Sequence, residues 1–85
     1  MKSFREKVLE ITSKIPKGKT LTYKEVAILA GNPKAARGVG AVLKTNFNPD
    51  IPCHRVIKST GETGGYNRGE KKKKEILKTE GVILN

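Results

Sequence analysis

The sequence predicts a small, mainly α single domain with a helix-turn-helix candidate, a cysteine-bearing turn followed by a short strand, and a C-terminal helix. Three observations predict it. Two Ser/Thr-x-x-Glu capping boxes each open an apolar stripe at helical spacing. A Gly-Asn-Pro step joins two short helical stretches. A proline-led loop, Ile51-Pro52-Cys53-His54-Arg55-Val56, then carries the chain's one cysteine and one histidine. Eighty-five residues make one domain, 1–85, with one modest core.

Taken in order, Ser3-Phe4-Arg5-Glu6 opens a first helix, on which Phe4, Val8, Ile11 and Ile15 form the inward stripe. Pro16-Lys17-Gly18 ends it. Thr22-Tyr23-Lys24-Glu25 opens a second, short helix with Val26, Ala27, Leu29 and Ala30 as its apolar residues and Gly31 just past its end. Asn32 as N-cap and Pro33 as first helical residue predict a third helix, with Ala36, Val39, Gly40 and Leu43 inward, ending near Lys44. The second and third helices form a helix-turn-helix candidate at about 22–44; an ordinary helical hairpin fits the same pattern. The stretch 45–52 reads as a loop. Val56-Ile57 starts a short strand, Ser59-Thr60-Gly61-Glu62 a turn, and Gly64-Gly65-Tyr66-Asn67-Arg68-Gly69 a glycine-rich loop with neither phosphate-binding glycine motif. A last helix runs from about Glu70 to Glu80, with Ile76 and Leu77 inward and Gly81 as its stop. Lys71 to Lys74 point in four successive directions around it, so most are solvated.

Charge narrows the function classes. Eighteen Lys and Arg against eight Asp and Glu leave +10, a surface that attracts polyanions by counterion release. A lysine-rich solvated surface is the alternative. No stretch approaches the about 18 continuous apolar residues of a membrane span, and MKSFREKVLE lacks the apolar run of a signal peptide. One cysteine allows no intrachain disulfide. The chain reads as soluble, intracellular and without membrane partners.

The chemistry centres on the motif at 51–57. A structural zinc site needs about four ligands, so one Cys and one His predict no metal. A thiol with an imidazole nearby can be an activated nucleophile, although a lone cysteine is most often a small buried hydrophobe. Adjacent side chains in extended chain point to opposite faces, so Cys53 and His54 need a bend or a bridging water to exchange a proton. Pro52 restricts the backbone there. Arg55 fits either a cation that lowers the thiol pKa or a structural or phosphate-binding arginine.

Ile51-Pro52-Cys53-His54-Arg55-Val56-Ile57 resembles the signature of the O6-alkylguanine-DNA alkyltransferases, suicide repair proteins that remove alkyl groups from guanine. Thr22-Tyr23-Lys24-Glu25 and Gly31-Asn32-Pro33-Lys34-Ala35-Ala36-Arg37-Gly38-Val39-Gly40 precede it, and Gly64-Gly65-Tyr66 and Thr79-Glu80-Gly81 follow, in the family's order and spacing. The resemblance runs from Phe4 to Gly81 and implies a winged-helix-like helix-turn-helix and an active-site turn with a short hairpin. It implies that Cys53 accepts the alkyl group, that His54 takes the thiol proton through a water, and that Glu80 orients the imidazole. An asparagine would brace the active-site turn: spacing from Arg37 favours Asn46, the following proline favours Asn48. Tyr23 would hydrogen-bond the flipped guanine or its 3′ phosphate. Arg37 would fill the space that the base leaves, with Thr22, Lys34, Ala35, Ala36 and Gly38 also at the minor groove. Val56, Ser59, Tyr66 and Asn67 would wall the guanine pocket. The resemblance further implies no cofactor, a single turnover, duplex DNA containing O6-alkylguanine as partner, a monomer, and a cytoplasmic, nucleoid-associated location. Taken alone, Glu80 reads as a solvated helix-end carboxylate, Arg37 as a phosphate contact and Tyr23 as a partly buried aromatic.

The chain departs from the pattern in four places. The family's N-terminal accessory domain is not expected here. The loop 45–50 is short. Gly38 stands where alanine is common, a cost of roughly 0.5–1 kcal/mol in a helix interior. Arg68 falls where a glycine often lines the alkyl pocket. Two other readings remain: an alkyltransferase-like protein that binds the lesion and recruits repair factors without chemistry, and a plain helix-turn-helix regulator. Alkyltransferase-like proteins typically carry tryptophan or alanine in place of the cysteine, so Cys53 with His54 and Glu80 favours transfer.

Overall fold

The computed structural model describes residues 2–46, 48, 50–60 and 69–82, with the backbone alone for Glu70. Helix α1 spans Phe4–Ser13. Its capping box is formed as predicted: Ser3 Oγ accepts the Glu6 N–H at 3.2 Å and Glu6 Oε1 accepts the Ser3 N–H at 3.4 Å. Val8 and Thr12 are buried, and the Thr12 hydroxyl donates to the Val8 carbonyl at 2.7 Å, which satisfies it inside the core.

Strand β1, Leu21–Thr22, leads into α2, Tyr23–Leu29. Thr22 Oγ1 accepts from the Glu25 N–H, and Glu25 Oε1 from the Thr22 N–H, each at 3.0 Å. Gly31, at φ +85°, closes α2 in a Schellman motif: its N–H bonds the Ile28 carbonyl at 3.0 Å, and the Asn32 N–H bonds the Ala27 carbonyl at 2.9 Å. This closure moves the start of the next helix. Asn32 and Pro33 open a turn, with the Ala35 N–H on the Asn32 carbonyl at 3.0 Å, and Pro33 takes the second turn position that suits its fixed φ. Helix α3 therefore runs Ala36–Lys44 with Ala35 as N-cap, three residues later than the Asn-Pro signal predicts. Leu29, predicted among the apolar residues of α2, is 61% exposed. With Ile11, Ile15 and Leu21 it lines an open apolar groove of about 340 Å³ rimmed by Lys14 and Lys19.

After α3 the chain makes a single 3₁₀ turn, Cys53–Arg55, and then strand β2, Val56–Ile57. This strand pairs in parallel with β1, Leu21 opposite Val56 and Thr22 opposite Ile57. Among the described residues the partner of β2 is thus a distant segment, and the short hairpin expected at the active-site turn would need a return arm as well. A parallel pair needs a long crossover, here the whole helix-turn-helix. Residues 61–68, where a return arm would run, lie outside the described residues. Helix α4, Glu70–Thr79, ends in a second Schellman motif, with Gly81 at φ +86° and bonds from Gly81 to Lys78 and Val82 to Leu77, each 3.0 Å. The core joins Val8, Ile15, Val26, Ala27, Ala30, Val39, Leu43, Cys53 and Val56, so the cysteine sits where α1, α2, α3 and β2 meet. No helix of the described residues is long and apolar enough to cross a membrane.

Candidate active site

Pro52 bends the chain in a definite way. At φ −79° and ψ 65° it is the centre of an inverse γ-turn, and the Cys53 N–H bonds the Ile51 carbonyl at 2.8 Å. The 3₁₀ turn follows at once, with the Arg55 N–H on the Pro52 carbonyl at 2.9 Å. At three residues per turn, successive side chains diverge by about 120°. Cys53 points into the core, 8% exposed, while His54 and Arg55 turn toward the end of α4.

That end presents Glu80. As the C-cap of α4, held by the Schellman closure, its backbone is fixed; Gly18 lies so near that a Cβ there would come within 3.2 Å of the Glu80 carbonyl oxygen. The carboxylate is 10% exposed and serves two partners. His54 Nε2 lies 3.1 Å from Oε1. Arg55 donates from Nε to Oε1 at 3.0 Å and from Nη2 to Oε2 at 2.6 Å, and its Nη1 reaches the Ile15 carbonyl at 2.8 Å. The Arg55 hydrogen bonds hold the Glu80 carboxyl below its ordinary range, against burial, with His54 adding to the effect. Burial lowers the His54 pKa, and the nearby cations Arg55 and Lys73 lower it further, outweighing the pull of Glu80.

Tyr23, the first residue of α2, stands beside this turn. Burial raises its phenol pKa, and the neighbouring Cys53 charge adds to the rise. Lys73 of α4 is 1% exposed. It donates to the Val56 carbonyl at 2.6 Å and to the Tyr23 hydroxyl at 3.3 Å, with its ammonium 5.5 Å from the Tyr23 ring centre. Before the turn, Asn46 is buried and its Oδ1 accepts the Asn48 N–H at 3.2 Å. Asn48 is exposed and holds the Asp50 N–H at 3.0 Å. Two successive asparagine turns thus deliver the chain to Ile51.

Residues 3–82 match a protein family described as the 6-O-methylguanine DNA methyltransferase, DNA binding domain. The chain belongs to this family. A methylated-DNA–protein-cysteine methyltransferase of Methanothermobacter thermautotrophicus is 50% identical over 82 residues, 95% of this chain and 46% of that protein. Its Homo sapiens counterpart is 45% identical over 84 residues, 96% of this chain and 41% of that protein. The chain therefore spans less than half the length of these curated relatives. Among solved structures, Mycobacterium tuberculosis OGT in complex with DNA superposes with a TM-score of 0.88 at 37% identity, over 94% of this chain and 50% of that one. S. pombe Atl1 in complex with damaged DNA containing O6-carboxymethylguanine also gives 0.88 and 37%, over all of this chain and 83% of that one.

The methyltransferase-family domain brings His54 to Glu80 and sets Tyr23 within electrostatic reach of Cys53 on the same 3₁₀ turn. The remaining predicted residues sit elsewhere or have other duties. Arg37 and Lys34 are exposed at the start of α3, with Ala35 and Ala36 half-buried between them. Gly38 packs against α1: a Cβ there would come within 3.2 Å of Phe4 Cε2, a contact that the ring edge can relieve by a small shift. Thr22 spends its hydroxyl on the α2 cap. The Val56 side chain is fully buried and its carbonyl is taken by Lys73; Ser59 is exposed. Tyr66 and Asn67, like Arg68, lie outside the described residues. Two features of the site, the burial of Lys73 and the reach of Arg55 to Glu80, were not read from the sequence. Lys73 shares a helix face with Leu77, four residues on, which marks it as the inward member of its lysine run. Nothing local to Arg55 signals that it reaches Glu80, 25 residues away.

Proposed function

We propose that this domain repairs DNA by moving the alkyl group of O6-alkylguanine in a duplex onto Cys53, once per chain. The observation that carries this reading is a buried thiol on a rigid turn whose next residue, His54, is hydrogen-bonded to an ionised Glu80. Names of relatives at 43–50% identity point the same way.

In this scheme α3 lies in the minor groove, where readout of sequence is weak, and Arg37 occupies the gap left by the flipped base. Tyr23 sits at the purine edge. His54 takes the Cys53 proton through one bridging water, within the reach of a general base. Sγ attacks the alkyl carbon in line, the carbon–O6 bond breaks, and its electron pair stays on O6. The proton removed from the thiol is the one the released guanine regains on its ring, so the exchange balances. The product on Cys53 is a thioether, which no group in the site can hydrolyse, and the chain is spent. Asn46 braces the loop that carries the turn.

Peptide mapping by mass spectrometry after incubation with an O6-methylguanine duplex tests this. The peptide containing Cys53 should gain one methylene, and Cys53→Ala should gain nothing. Lesion-selective binding without any mass change would instead place the domain with non-enzymatic lesion binders, the reading that its full-length match to Atl1 leaves open.

A further inference from the structure

Arg55 has no part in the transfer set out above, yet three of its nitrogens are engaged: Nε and Nη2 on Glu80 at 3.0 and 2.6 Å, Nη1 on the Ile15 carbonyl at 2.8 Å. His54 Nε2 meets Oε1 of the same carboxylate at 3.1 Å. A carboxylate held by both oxygens against a guanidinium stays ionised, and an ionised carboxylate only accepts hydrogen bonds. Nε2 must therefore carry the ring hydrogen, which leaves Nδ1 as the basic nitrogen.

A lone carboxylate would also favour the imidazolium form, and an imidazolium cannot take a thiol proton. Arg55 removes that difficulty by sharing Oε1 and claiming Oε2. We propose that Arg55 is a positioning residue: by gripping both oxygens of Glu80 it fixes His54 as the Nε2–H tautomer and keeps the ring neutral, with Nδ1 ready for the Cys53 proton. The purpose of this arrangement rests on the transfer reading above; its geometry does not. The charged groups facing the ring are Glu80 and Lys73 from α4 and Arg55 from its own turn. Helix α1, which also packs against the turn, is tied in through the Ile15 carbonyl just past its C-terminal end.

The chain has one histidine, so its ring signals in an NMR spectrum of the whole chain assign themselves. Long-range proton–nitrogen correlations report the tautomer, and a pH titration reports the midpoint. The wild-type ring should be the Nε2–H form with a midpoint below the ordinary value of about 6.5. Arg55→Gln should raise that midpoint; Arg55→Lys, which keeps the charge, should raise it less. Transfer from an O6-methylguanine duplex by Arg55→Gln should fall several-fold near pH 6 and recover toward pH 8, whereas a merely structural role would lower it equally throughout. An Nδ1–H tautomer, a wild-type midpoint above 6.5, or an unmoved midpoint in a natively folded Arg55→Gln would each overturn the proposal. If Arg55→Gln does not fold, Arg55→Lys decides: a raised midpoint supports the proposal and an unmoved one overturns it. The NMR arms need no DNA, so a chain that titrates as expected yet transfers nothing refutes the proposed function and upholds the role of Arg55.

Discussion

Burying the ammonium of Lys73 is costly unless oxygens replace its water, and the Val56 carbonyl and Tyr23 hydroxyl do so at 2.6 and 3.3 Å. Lys73→Met keeps the bulk and strands that carbonyl. It should destabilise the fold by about 1–3 kcal/mol, read as a lower urea midpoint with an unchanged slope. The ionisable pair at Glu80 makes a pH prediction. Glu80 titrates lower in the folded chain than its usual 4.5, so its contribution is present above that value and is lost as pH falls through the folded pKa. His54 is also lowered, from 6.5; its neutral form favours folding, and that contribution is complete above about 6.5 and fades as pH drops toward the folded pKa. The signs agree. Melting temperature should hold from pH 8 to 7 and decline below, with His54→Gln flattening the upper part of the decline. A melting temperature that rises on acidification from pH 7 to 5 would contradict this.

Helix ends show what can be read locally and what cannot. The capping boxes at Ser3 and Thr22 and the glycine stops at Gly31 and Gly81 need only neighbours within four or five residues, so the starts of α1 and α2 and the end of α4 fall where the pattern places them. The start of α3 does not, because Asn32 is already engaged in closing α2. The β1–β2 pair is two residues long on each side and joins Leu21 to Val56, 35 positions apart in sequence, beyond any local periodicity. At the site the same division holds: Cys53, His54 and Glu80 are legible from motif, whereas the Arg55 grip on Glu80 and the Lys73 bond to Val56 exist only once α4 has docked. Two glycines separate the local effects experimentally. Gly31→Ala places a side chain at φ +85° with open space around it and should cost about 1–2 kcal/mol. Gly38→Ala gains up to about 1 kcal/mol of helix propensity against a 3.2 Å contact with the movable edge of Phe4; it should be neutral to slightly stabilising in the same urea assay.

At the scale of the whole molecule, the net charge of +10 makes duplex binding an electrostatic event. The dissociation constant for undamaged duplex should rise at least about tenfold between 50 and 200 mM salt. Arg37→Ala should reduce the magnitude of that slope by about one phosphate's worth. It should also slow transfer from a duplex by about tenfold or more, since a few kcal/mol of unstacking then go uncompensated; equal transfer rates in wild type and variant would remove Arg37 from the flipping step. The proposed role of Cys53 as a single-use acceptor is tested most directly by stoichiometry. Titrating the protein against excess duplex carrying a radiolabelled O6-methyl group should give protein-bound label that plateaus at one methyl per chain and is abolished in Cys53→Ala. A plateau that keeps rising with time, or no label on the protein at all, would contradict the account.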